Sequence, residues 1–105
     1  MDWPRSADGD VFRRLQADSF DFSKACLIDF FVEFESGDPQ AEVVSAIRHE
    51  YPGVQIIAGA NDARELRVQV YSILEYDFVL ATQKRLTELA EPFGGSCEAW
   101  GVLNG

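Results

Sequence analysis

The run from Ala25 to Glu35, ACLIDFFVEFE, constrains the fold more than any other stretch of this chain. Ile28, Phe30, Val32 and Phe34 face one way, whereas Leu27, Asp29, Phe31, Glu33 and Glu35 face the other. A period of two sustained over this length is a strand with one fully apolar face and one mixed face. The apolar face needs neighbouring strands beside it and a second layer packed over it.

The rest of the chain supplies both. Asp8 to Ala17 reads as a helix capped by Asp8, with Val11, Phe12 and Leu15 on one side, and Asp18 to Lys24 is a polar break. After the strand, Ser36-Gly37-Asp38-Pro39 is a helix start with Asp38 as cap and Pro39 at the first helical position. That helix runs to about Tyr51 with Val44, Ile47 and Tyr51 as its buried stripe, and Pro52-Gly53 ends it. Val54 to Gly59 and Glu65 to Leu74 are two strands joined by a turn at Ala60 to Arg64, a hairpin. In the second of them Leu66, Val68 and Val70 point inward and Arg67, Gln69 and Tyr71 outward. Asp77 caps a helix carrying Val79, Leu86, Leu89 and Ala90, which must end near Ala90 or Glu91 because Pro92 cannot continue it. Gly94-Gly95 turns the chain into a last strand, Ser96 to Leu103.

After the first helix the order is strand, helix, strand, strand, helix, strand. This βαββαβ order predicts an α+β, ferredoxin-like two-layer sandwich, a four-stranded antiparallel sheet with an additional N-terminal helix. The first and third strands are expected to be central and parallel to each other, with the fourth antiparallel beside the first. A chain of 105 residues fits one domain, 1–105. A domain of this size buries roughly 65% of the surface its unfolded chain exposes, enough for a core without staples. Cys26 and Cys97 then begin different strands, toward opposite ends of the sheet, and no bridge between them is expected.

Charge narrows the function. Eighteen acidic against nine basic side chains give a formal net charge of −9. Direct nucleic-acid binding, which draws on Lys and Arg releasing phosphate counterions, is disfavoured, and so is an anionic membrane. With no apolar run of spanning length and no hydrophobic leader, the expected location is the cytoplasm. Catalytic motifs are missing: there is no phosphate-binding glycine loop, no His-Glu-x-x-His and no Gly-x-Ser-x-Gly. His49, the sole histidine, sits in the second helix beside Arg48 and Glu50, where an exposed structural role outweighs catalysis. Asp29, Glu33 and Glu35 on one strand side read as a solvated acidic face rather than a cation site. No catalytic residue, metal or cofactor is expected.

The mixed sheet face carries the functional signal. Phe31, Tyr71 and Trp100 fall there beside the acids, the place where RNA-recognition modules of this fold stack bases. Carboxylates flanking Phe31 rule against RNA, and two readings of the aromatics remain. They pack as core under the N-terminal helix, the reading favoured by that helix's need to pack somewhere, or they form a protein-binding patch ringed by acids.

Two segments resemble a known family. Leu86 to Gly101, LTELAEPFGGSCEAWG, is similar to the ending of the RraB family, regulators of ribonuclease E activity, in its leucine-bearing helix, glycine turn and strand leading to Trp-Gly. Asp8 to Asp29, DGDVFRRLQADSFDFSKACLID, resembles the family's opening. Two departures stand out: Glu98-Ala99 replaces the usual Asp-Gly before Trp100-Gly101, and the acidic tail of well-studied inhibitors has no counterpart before Gly105. The resemblance implies a ferredoxin-like α+β sandwich and a non-enzymatic protein that binds the C-terminal region of ribonuclease E and lowers RNA turnover. On this reading Asp29, Phe31, Glu33, Glu35 and Trp100 are the candidate partner-binding residues. The alternative is a small-molecule-binding regulatory module whose loop Ser36-Gly37-Asp38, leading into a helix N-terminus, receives a charged ligand.

Overall fold

A computed structural model describes residues 6–35, 41–58 and 64–102. The Ser36 to Pro39 helix start, with the ligand-receiving loop proposed for it, and the turn at Ala60 to Ala63 lie outside those residues.

The elements follow in the expected order. Helix α1 (Ala7–Ala17) leads to strand β1 (Ala25–Phe34), helix α2 (Ala41–Glu50), strands β2 (Gln55–Ala58) and β3 (Glu65–Ile73), helix α3 (Tyr76–Ala90), a 3₁₀ turn (Glu91–Phe93) and strand β4 (Gly95–Val102). The strand order is β2-β3-β1-β4, and every neighbouring pair is antiparallel. β1 and β3 are central, as expected, but they run antiparallel rather than parallel. The physical reason is the hairpin. The α2 crossover returns β2 parallel to β1 with a gap between them, and β3 enters that gap by reversing out of β2. The register is anchored by Phe30 opposite Val68 and Val32 opposite Leu66, pairing apolar side chains on one face.

That face holds the core. Ile28, Phe30, Val32 and Phe34 of β1 and Leu66 and Val68 of β3 are buried against Val79, Leu86 and Ala90 of α3 and against Val43 and Ile47 of α2. The α2 stripe is therefore Val43-Ile47, one turn apart, with Val44 and Tyr51 only partly buried at its margin. α3 ends at Ala90, as Pro92 dictates, and Gly94 closes the 3₁₀ turn in the left-handed region at φ 80°.

Two helix starts differ from the expectation. α1 is capped by Ser6, whose Oγ accepts the Gly9 amide at 3.1 Å, and Asp8 lies in the first turn. α3 begins at Tyr76 after Glu75, leaving Asp77 in its first turn, where a carboxylate favours the positive end of the helix dipole.

α1 does not lie over the mixed sheet face. It joins the helical layer, where Phe12, fully buried, packs its ring 5.6 Å from Tyr76 of α3 and 5.4 Å from Trp100 of β4. The apolar stripe that had to pack somewhere found its place on the core side.

Candidate partner-binding face

The outer face of the sheet is assembled by register. β1 contributes Leu27, Asp29, Phe31 and Glu33; β3 sets Tyr71, Gln69, Arg67 and Glu65 directly opposite them. On the other flank, Gly101 and Ala99 of β4 lie opposite Asp29 and Phe31. Directly paired residues of an antiparallel sheet point to the same side, so these side chains share one surface. None of the three described helices covers it, and Tyr71 stands 71% exposed.

Each candidate residue has a definite setting. Phe31, half-buried, carries the Arg67 guanidinium over its ring at 5.5 Å from the centroid, a cation–π contact. Glu33 is exposed and faces Glu65 across the strands, a like-charge pair that sheet pairing disfavours. Glu35, exposed, follows the end of β1, where its amide still donates to the Gly94 carbonyl at 3.0 Å. With Glu33, Arg64 and Glu65 it lines a shallow cleft of about 220 Å³ at this end of the sheet. Asp29 departs most from expectation: it is only 6% exposed, and its Oδ1 has no hydrogen-bond partner.

Trp100 does not belong to this surface. Between Phe31 and Val32 the β1–β4 register shifts, so Cys97 pairs with Val32, Ala99 with Phe31 and Trp100 with Phe30. Glu98 is the extra residue of a β-bulge, and Glu98 and Ala99 are both exposed in succession. Simple alternation from buried Cys97 would have sent Trp100 outward. The bulge turns it to the core side, where its indole Nε1 donates to Asp8 Oδ1 at 2.8 Å. Four of the five candidates therefore share a surface, and the fifth clasps α1.

Sequence reasoning missed Arg67 and Glu65 as neighbours of Phe31 and Glu33, and Gly101 as neighbour of Asp29. The signal that would have found them is the pairing of β1 with β3 and β4. His49 is exposed on α2, and no group of three or more His, Cys, Asp or Glu fit to hold a metal occurs among the described residues. Both cysteines are free, with Cys97 opposite Val32, six positions along β1 from Cys26. No described helix is long and apolar enough to cross a membrane.

No curated protein matches the chain. The family model described as regulator of ribonuclease activity B matches residues 5–102, nearly the whole length, and the α+β fold above agrees with what the resemblance implied. With a match of that extent the chain belongs to the RraB family, regulators of ribonuclease activity that act by binding a protein partner.

Proposed function

We propose that this chain, acting in the cytoplasm as one domain without chemistry of its own, lowers RNA turnover by binding a basic segment in the C-terminal region of ribonuclease E. The outer sheet face is the docking surface, with Asp29, Phe31, Glu33 and Glu35 as contact residues. The observation that carries this reading is the uncovered strand face on which Phe31 and Tyr71 stand among Asp29, Glu33 and Glu65. Aromatic area supplies the apolar part of an interface, and the carboxylates select a cationic partner. The Glu33–Glu65 pair adds a specific reason, since a cation placed between the two side chains relieves a repulsion that the free protein tolerates. Trp100 holds α1 and stands outside this surface.

The test is association of the purified chain with the C-terminal region of ribonuclease E. Glu33→Gln with Glu35→Gln is expected to slow association several-fold while leaving the fold intact, because rim charges act mainly on the on-rate. Absence of binding by the unaltered chain at low salt overturns the proposal.

A further inference from the structure

The outer sheet face changes character along the strands. Its rows run from Glu33–Glu65 through Phe31–Arg67 and Asp29–Gln69 to Leu27–Tyr71 and Ala25–Ile73. At the first end Glu33, Glu35 and Glu65 gather round the shallow cleft and outweigh Arg64, which lines it with them. At the other end the last two rows hold no charge. Tyr71 is 71% and Ile73 37% exposed there, with Leu27 and Ala25 half-buried beside them. The large hydrophobic side chains that stand exposed among the described residues are Ile57, Tyr71 and Ile73. Ile57 is paired with Arg67, so all of them belong to this one face. Apolar side chains gathered in water mark a place where a partner covers them. Glu33 and Leu27 lie six positions apart on β1, about 20 Å along a strand.

From this polarity we infer that the face receives an amphipathic helix of the partner. The helix lies along β1 with its basic end over Glu33 and Glu65 and an aromatic or aliphatic side chain against Tyr71 and Ile73. This rests on the docking proposal above and adds to it the partner's form, polarity and spacing. The form follows from backbone chemistry. The sheet's own donors and acceptors are directed from strand to strand, so a segment laid across the face finds none to pair with. A helix arrives with its hydrogen bonds already made. The polarity follows from charge, since Lys or Arg gains at the carboxylate end and is stripped of water without a counter-charge at the other. The spacing follows from length. About four turns, or about 14 residues, of helix span about 20 Å and bring both ends' side chains to one side.

The experiment follows binding kinetics with the C-terminal region of ribonuclease E as the probe, at low and moderate salt. Tyr71→Thr with Ile73→Thr removes the apolar end at exposed sites and keeps residues that strands favour. It is expected to raise the dissociation rate about tenfold or more, with the association rate and its salt dependence unchanged. Glu33→Gln with Glu65→Gln is expected to slow association several-fold and flatten its salt dependence. Tyr71→Trp, which keeps a ring at the apolar end, is expected to bind as the unaltered chain does. A photoreactive phenylalanine analogue in place of Tyr71, and in a second protein in place of Glu33, should crosslink to the probe at sites about 14 residues apart, with Lys or Arg beside the second. An unchanged dissociation rate for the double threonine variant, or loss of binding by Tyr71→Trp, overturns the apolar anchor. Crosslinks that fall on one short stretch overturn the helix. Each of these results leaves the docking proposal standing, whereas no binding by the unaltered chain overturns both.

Discussion

Cys97 shows how burial sets the chemistry of a single side chain. It is nearly inaccessible on the inner face, and desolvation pushes its thiol up to about 12, with the Ala99 carbonyl 3.9 Å from Sγ. Cys26, half-buried, is raised by the same cause. Alkylation of the native chain at mildly alkaline pH should therefore label Cys26 well before Cys97, which peptide mass mapping checks. A stability consequence follows with a definite sign. Below the ordinary thiol value of 9.0, folded and unfolded chains both carry the neutral group, and its contribution is fully present. As pH rises from there toward about 12 the unfolded chain ionises first, so stability falls. Denaturant melts across that window should show a shallower loss for Cys97→Val. Gly95 supplies a second single-residue test. A Cβ there would lie 2.6 Å from Phe34 Cε1 and 2.9 Å from the Ala90 Cβ, so β4 can pass this closely only as glycine. Gly95→Ala should cost about 1–3 kcal/mol in denaturant unfolding.

Among the elements, α1 is tied to the sheet and to α3 by aromatic contacts and side-chain hydrogen bonds. Phe12 packs between Tyr76 and Trp100, Ser6 Oγ lies 3.2 Å from the Tyr76 hydroxyl, and Asp8 accepts from Trp100. Phe12→Ala should cost about 3–5 kcal/mol. In a Trp3→Phe background it should also shift Trp100 emission to the red, as the indole loses its cover. The way α1 docks was only half legible in the sequence. Spacing identified Val11, Phe12 and Leu15 as the stripe to be buried, but amphipathicity says which side of a helix is covered and not which layer covers it. The alternation of β1 and β3 was legible, because Ile28, Phe30, Val32 and Phe34 in one and Leu66, Val68 and Val70 in the other recur at every second position. β4 was not, since one extra residue at Glu98 reverses every side chain beyond it, and no residue type announces the bulge. The same limit applies to the outer face. Asp29, Phe31 and Glu33 could be placed there by parity alone, whereas parity does not tell that Asp29 is buried and Glu33, further along the same face, exposed.

At the scale of the whole molecule, a net charge of −9 acts beyond any one contact. Raising ionic strength should slow association with a basic partner as the Debye length shrinks toward the size of the interface. Stopped-flow rates at low and moderate salt check this, and a rate indifferent to salt would assign recognition to shape instead of charge. The bulge described in β4 bears on a different hazard. A sheet that leaves one face uncovered also presents two rims whose unpaired backbone groups invite a second chain to add on, strand beside strand. One rim here is β2, four residues long among the described residues; the other is β4, interrupted by the bulge with Glu98 turned to solvent. Neither is a straight template, and the protein can thus keep its broad side available to a visitor while its borders resist fibre growth.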